Sequence, residues 1–439
     1  MSLAPTDGKG FLEKWFQLKE SGTNVKTEII AGLTTFVTMA YIIIVNPQIL
    51  KDAGMDHGAV FVATCLAAAA STLFMGLFAN YPFALAPGMG LNAFFAYVMV
   101  GKMGLSWQTA LGAVFISGCI ATVVTATGLR ELIIKAIPLP LKHAVSAGIG
   151  LFIAFIGFKN AGIVVSDPNT LVNLGNLTGR EPLLAIIGLF IIGALIARNV
   201  TGGILIGILA TTIIGIPLGI TKFSGMSLSI PSIAPGFMKL DISEALQWGT
   251  ALTIFSLFFA DLFDTVGTLV GVCNRTNLMD EEGNLKRGNR ALFADSLGTV
   301  FGALLGTSNT TSYVESAAGV AAGGRTGLTA TVTGITFILA LVFAPIALAV
   351  PGAATAPALI IVGILMASSL RQINFDDFVE AFPSFIIILM MPLTFSIATG
   401  LALGFVVCVA QALLLGHARK VHWLMYVLSA FFVIHFTFK

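Results

Sequence analysis

Charge is the scarcest property of this sequence. Only 10% of its 439 residues are Asp, Glu, Lys or Arg, against about 25% in a soluble domain, so a water-solvated globule is excluded. Cysteine is scarce too. Cys65, Cys119, Cys273 and Cys408 lie far apart, each inside or beside an apolar run, which excludes a disulfide framework or a CxxC metal site and leaves packing residues. The histidines His57, His417, His422 and His435 are scattered without metal-ligand spacing, and no phosphate-binding GxxxxGKS motif occurs. His143, beside Lys142, reads as interfacial. Residues 1–27 mix charges of both signs and lack the apolar core and cleavage site of a signal peptide, so they are read as a retained cytoplasmic segment.

What is there in place of charge is apolar. Hydrophobic residues make up 56% of the chain and the mean hydropathy is +0.95. Apolar runs fall near 28–46, 58–79, 83–100, 107–127, 139–157, 183–198, 202–221, 247–271, 289–306, 310–322, 326–349, 355–369, 383–398 and 400–416, with a further one at 421–437. The pattern predicts an all-α polytopic membrane protein of about 14 transmembrane segments, with the crossing of the terminal run left open. No connection is long enough to fold alone, so 28–439 reads as a single transmembrane domain. With the N-terminus inside, the inner loops collect most basic residues, Arg130, Arg198, Arg287, Arg290, Arg325 and Arg371 among them; the bias predicts a cytoplasmic N-terminus. GNLKRGNR, Gly283 to Arg290, is then a basic cytoplasmic loop facing anionic lipid rather than nucleic acid.

Two runs break the helical pattern. YPFALAPGMGLNAFFAYV (Tyr81 to Val98) carries two prolines and then glycines, and GTSNTTSYVESAAGVAAGG (Gly306 to Gly324) is too polar and glycine-rich to face lipid. Such backbone persists in a membrane only where protein or a wet cavity satisfies its N–H and C=O groups. Their similar positions in the two halves predict an inverted repeat, about 28–221 and 247–416, with one broken helix in each half near a central substrate site. The alternative is a pair of ordinary re-entrant loops or long extramembrane turns.

FFADLFDTVGTLVG (Phe258 to Gly271) places Asp261 and Asp264 on one helical face, with Thr265 and Thr268 nearby and no basic residue. A charge at the bilayer centre costs at least about 2.5–3.5 kcal/mol, so such a pair is expected to face a polar cavity. Glu315 and Asn92 sit in the two broken runs, and Asp295 in FADSLGT. If these segments converge, the cavity has no cation of its own except Arg325 at its edge. It suits a neutral ligand rich in N–H donors, and the surplus carboxylates can take up protons or sodium. A secondary transporter fits best; a channel and an intramembrane enzyme using Asp261 and Asp264 as catalytic carboxylates are the alternatives.

The segments TEIIAGLTTFVTMAYIIIVNPQIL, APGMGLNAFFAY, HAVSAGIGLFIAFIGFKNAGI, DLFDTVGTLVGV, TTSYVESAAGVAAGGRTGLTA and MMPLTFSIATGLALGF resemble the AzgA-like purine permeases of the nucleobase:cation symporter superfamily. The resemblance runs from about Gly22 through the last apolar segment. It implies two inverted repeats of seven segments, divided into a core that carries substrate and a gate, with strand-like breaks in the third and tenth segments near Phe83–Ala86 and Gly306–Asn309. It implies import of guanine, hypoxanthine or adenine across the cytoplasmic (inner) membrane, the first two favoured. By motif, Asp264 and Glu315 hold the nucleobase, Asn92 and Asp261 contribute to the site, and Asp261 and Asp295 join Asp264 and Glu315 in ion coupling. Thr268 stands where distant relatives place a histidine or another polar residue. No cofactor is implied beyond a coupling ion, the proton, with sodium as the alternative. The partners are the purine substrate and membrane lipid; a homodimer is a further option.

Overall fold

The computed structural model describes residues 10–222, 229–273 and 287–437, so Gly283 to Lys286 of the GNLKRGNR stretch lie outside the described residues. A short helix α1 (Phe11–Phe16) leads into α2 (Val25–Met39), whose first turn is capped by the Asn24 side chain. The chain turns at Ala40 and Tyr41 before α3 (Ile42–Asp52). Asp56 caps α4 (His57–Phe74), accepting from the Ala59 N–H at 2.7 Å. The broken run follows as strand β1 (Leu85–Pro87) and helix α5 (Met89–Ala93), which continues as a wide π-type helix over Phe94–Lys102.

Next come α6 (Trp107–Ala126), the short α7 (Leu129–Ala136) and the long α8 (Leu139–Asn160). The connection after α8, where the hydropathy shows no structure, forms a hairpin of β2 (Val164–Asp167) and β3 (Leu171–Leu174). Helices α9 (Arg180–Ala197), α10 (Gly203–Gly215) and the one-turn α11 (Ile242–Ala245) lead to α12 (Ala251–Cys273), which carries the two aspartates, and to α13 (Gly288–Leu305). The second broken run is strand β4 (Thr310–Ser312) followed by α14 (Ser316–Ala321). The remaining helices are α15 (Gly327–Leu339), α16 (Ala344–Ala349), α17 (Gly352–Ala367), α18 (Phe378–Thr394), α19 (Ile397–Leu414) and α20 (Trp423–Thr437).

Among the described residues, eight helical stretches of at least 18 residues are long and apolar enough to cross a membrane, joined by the shorter apolar helices Gly203–Gly215, Phe378–Thr394 and Trp423–Ile434. The architecture is therefore mostly helical among the described residues, with short strands in both broken runs as the resemblance implies and a further β2–β3 hairpin that was not expected. The runs at 383–398 and 400–416 form a helical hairpin that turns at Phe395 (φ 53°). Helix α20 is separate, its Phe431 and Phe432 packing on Phe255 and its Phe432 also on Phe405.

The helices sort into two groups. Helices α2, α4, α6, α13 and α15 pack on one another and on β1 and β4, whereas α8, α9, α17, α18 and α19 form a second group around the α8–α17 crossing. Glycines let that crossing close: a Cβ on Gly363 would lie 2.4 Å from the Gly150 carbonyl oxygen. Backbone contact of this kind lets van der Waals packing hold helices together where lipid supplies no hydrophobic drive.

Candidate site between the two broken helices

The broken runs meet through their strands. β1 and β4 pair antiparallel, Leu85 with Ser312, Ala86 with Thr311 and Pro87 with Thr310, so backbone groups that a helix would pair internally are satisfied across the two halves of the chain. Both strands lie later in the chain than expected: the first spans Leu85–Pro87 rather than Phe83–Ala86, and the second Thr310–Ser312 rather than Gly306–Asn309. Gly306 (φ 94°) instead closes α13, and the Thr307 N–H returns to the Gly302 carbonyl at 2.9 Å. Gly88 donates its N–H to the Asn309 carbonyl at 2.9 Å, and a Cβ at Gly88 would lie 2.6 Å from Thr311 Cγ2. The APGMG motif thus supplies a proline where the strand has no neighbour on one side and a glycine where the facing strand leaves no room.

Four carboxylates converge around this strand pair in unlike environments. Asp264, on α12, is half-buried, its Oδ2 3.8 Å from where a Gly88 Cβ would stand; among the described residues no hydrogen-bond donor reaches it. Glu315 is half-buried at the N-cap of α14 and accepts from the Tyr41 hydroxyl at 2.5 Å, with Tyr41 itself buried at the α2–α3 turn. Asp261 is 2% exposed; the Thr299 hydroxyl lies 3.5 Å from its Oδ2 and its Oδ1 has no partner. Asp295, fully buried on α13, is saturated. It accepts from the Thr265 hydroxyl at 2.8 Å on each oxygen, from the Ser312 N–H at 3.0 Å and from the Ser312 hydroxyl at 3.1 Å.

The expectation of a site without its own cation is corrected by Arg130. Read as a cytoplasmic loop residue, it is 1% exposed and reaches from α7 to Asp295, Nη2 to Oδ2 3.5 Å. Its Nη1 donates to the Ser296 hydroxyl at 2.8 Å and to the Leu292 carbonyl at 2.9 Å. Arg325 is not the site's cation: its Nη1 donates to the Val320 and Gly324 carbonyls at 2.7 and 2.8 Å, closing the end of α14. One guanidinium among four carboxylates leaves the centre acidic, and burial makes each uncompensated charge costly.

Asn92 and Thr268 complete the predicted set. Asn92 is fully buried, and its Oδ1 accepts from the Ser308 hydroxyl, so its side chain ties α5 to the chain entering β4 rather than standing open. Thr268, one turn beyond Asp264, is buried at 9% exposure. The half-buried acceptors are thus Asp264 and Glu315, carried by different segments and brought together by the strand pair. They can accept N–H donors from a neutral ligand.

Comparison with known proteins places the chain in a family. The family profile described as "Permease family" (Xan_ur_permease) matches residues 26–403. The chain belongs to this family of permeases. It is a transporter and not an enzyme. Among its relatives, the adenine permease AdeP of Escherichia coli is 46% identical over 99% of this chain and 97% of its own. The guanine/hypoxanthine permease PbuG of Bacillus subtilis is 47% identical over 97% of this chain and 100% of its own. The fold is shared with the transmembrane domain of the cyanobacterial bicarbonate transporter BicA, with a TM-score of 0.67 over 86% of this chain and 97% of that one at 17% identity.

Three buried polar residues of the permease escape a reading of its sequence. Tyr41 is one hydroxyl in the apolar run MAYIIIVN, and Arg130 in GLREL looks like any loop arginine. Glu28, at the start of α2, is fully buried and receives the N–H groups of Arg325, Thr326 and Thr329 at 2.8, 3.3 and 3.1 Å and the hydroxyls of Thr326 and Thr329 at 2.9 and 2.6 Å. It caps α15 from another segment, and the only signal for it is a carboxylate opening a long apolar run.

Proposed function

We propose that the permease imports purine nucleobases, guanine and hypoxanthine ahead of adenine, by proton symport across the cytoplasmic membrane. The observation that carries this reading is the pair of half-buried carboxylates, Asp264 with no donor among the described residues and Glu315 held by Tyr41. A neutral purine binds such a pair through its N–H edges, each charge-assisted hydrogen bond contributing about 1.5–3 kcal/mol. Guanine offers N1–H and the 2-amino group side by side, matching both oxygens of one carboxylate, and hypoxanthine keeps N1–H. Adenine presents an acceptor at N1 and donates only through its 6-amino group on that edge, which is the reason for the order. The relatives named for adenine and for guanine/hypoxanthine are too alike in identity, 46% and 47%, to choose between them.

The fold reading that accompanies this function is 14 segments in two inverted repeats, with the N-terminus cytoplasmic. The helix group around β1 and β4 is the core that carries substrate, and the group around α8 and α17 is the gate. Asn92 shapes the site through Ser308. Asp261, buried with an unpartnered oxygen beside the site, is the seat for the coupling proton, because protonation removes a charge that burial leaves uncompensated. Sodium is the alternative ion.

Uptake of labelled guanine, hypoxanthine and adenine into sodium-free proteoliposomes with an imposed inward proton gradient tests the reading. Accumulation that collapses with a protonophore while exchange continues is the expected result. Accumulation that requires sodium and ignores the protonophore overturns the proton; no flux of any purine overturns the substrate.

A further inference from the structure

Arg130 connects features that the transport reading leaves separate. It is the second residue of α7, the short helix that joins α6, in the group around the strand pair, to α8, in the other group. Its guanidinium leaves α7 and enters the first group, bonding Leu292, Ser296 and Asp295 on α13. Asp295 in turn holds Thr265, the neighbour of Asp264, and Ser312, three residues before Glu315. A single ion pair therefore touches both segments that carry the binding carboxylates and the connection between the two helix groups.

We propose that Arg130 is a positioning residue for transport: by pairing with Asp295 it locks the segments of Asp264 and Glu315 into one unit and anchors the α6–α8 linker to that unit. The inference rests on the permease reading and concerns how the carrier moves rather than what it binds. Without the guanidinium, Asp295 is a buried carboxylate with hydroxyl and amide partners only, and taking up a proton relieves its charge. The charged groups around it are Asp261 and Asp264 from α12 and Glu315 from α14. Helices α4 and α6 bring only the thiols Cys65 and Cys119 and, about 21 Å along α4 from the Ser71 that faces Gly298 of α13, His57.

The test is a four-way comparison of wild type, Arg130→Lys, Arg130→Met and the double variant Arg130→Met with Asp295→Asn. Purine uptake into proteoliposomes is measured across pH, with thermal unfolding and purine binding in detergent. Arg130→Met is expected to lose about tenfold or more of uptake near neutral pH and to regain it as pH falls. The double variant removes both charges but keeps an amide against the Thr265 and Ser312 donors, so it is expected to recover part of the uptake near neutral pH that Arg130→Met loses, with Arg130→Lys between Arg130→Met and wild type. Wild-type uptake in Arg130→Met with an unshifted pH profile overturns the proposal. So does a double variant that folds and binds purine yet transports no better than Arg130→Met, or one that fails to fold. If wild type itself moves no purine, the substrate reading has failed instead; the pair is then judged by unfolding, where full additivity of the two substitutions overturns it.

Discussion

Asp264→Asn and Asp295→Asn are the same chemical change made at two neighbouring carboxylates, Asp295 holding the hydroxyl of Thr265 that follows Asp264, and the structure expects opposite consequences. Asp264 has no protein donor among the described residues, so neutralising it breaks no hydrogen bond and removes one of several crowded negative charges. The folded protein should keep or slightly gain thermal stability. Binding should suffer, because the carboxylate is the acceptor for a purine N–H: a loss of about 1.5–3 kcal/mol, or roughly 10- to 150-fold in Kd. Asp295 is fully buried and holds Arg130, Thr265 and Ser312. Its amide replacement places an NH2 against donors and strands the guanidinium, a loss of about 3–5 kcal/mol in stability. Thermal unfolding of the purified proteins by size-exclusion chromatography, with equilibrium binding of labelled guanine to each, separates the two effects. An Asp264→Asn protein that melts as early as Asp295→Asn and binds guanine as tightly as wild type refutes the assignment of free and committed carboxylates.

Three further outcomes follow from single contacts. Gly88→Ala places a Cβ 2.6 Å from Thr311 Cγ2, inside the separation of about 3.5–4.0 Å at which carbons attract, so the Thr311 side chain or its strand must shift beside Asp264 and uptake should fall even where protein is still inserted; wild-type uptake rates would contradict the contact. Glu28→Gln turns an amide toward the hydroxyl and N–H groups of Thr326 and Thr329, and should lower the melting temperature strongly while leaving the Kd of the folded fraction unchanged, checked by the same two assays. In the β2–β3 hairpin the Asp167 carboxyl is held below its ordinary range by the N–H groups of Thr170 and Asn169. Its folded value is depressed, so its contribution is present above the ordinary carboxylate range and lost as pH falls through the lowered value. The protection of the Thr170 amide, its exchange rate relative to the unfolded chain at the same pH, should be lost at acid pH in wild type and at all pH in Asp167→Ala, with uptake untouched; pH-independent protection in wild type would remove the Asx turn from the account.

Local composition determined a good deal by itself. A shortage of charge and long apolar runs place the chain in a bilayer because each residue's transfer cost is set by its own side chain. The two broken runs, and Asp264 and Glu315 as exceptions within oil, were legible for the same reason: a polar group at membrane depth is expensive wherever its partners are. Partners themselves are not local. Tyr41 and Glu315 lie 274 positions apart and Glu28 and Thr329 301 apart, distances over which no window or spacing rule operates. Only the tertiary structure decided which carboxylates stay open and which are spent, because Asp264 and Asp295 differ in what surrounds them and not in what they are. It also turned Arg130 from a loop cation into the counter-ion of the centre, since a basic side chain near a helix end has the same hydropathy whether it points to water or inward to Asp295. The strand pair was foreseeable as broken helix but not in register, because the pairing of Leu85 with Ser312 depends on where Gly306 ends α13 and on a facing strand close enough to exclude any side chain at Gly88.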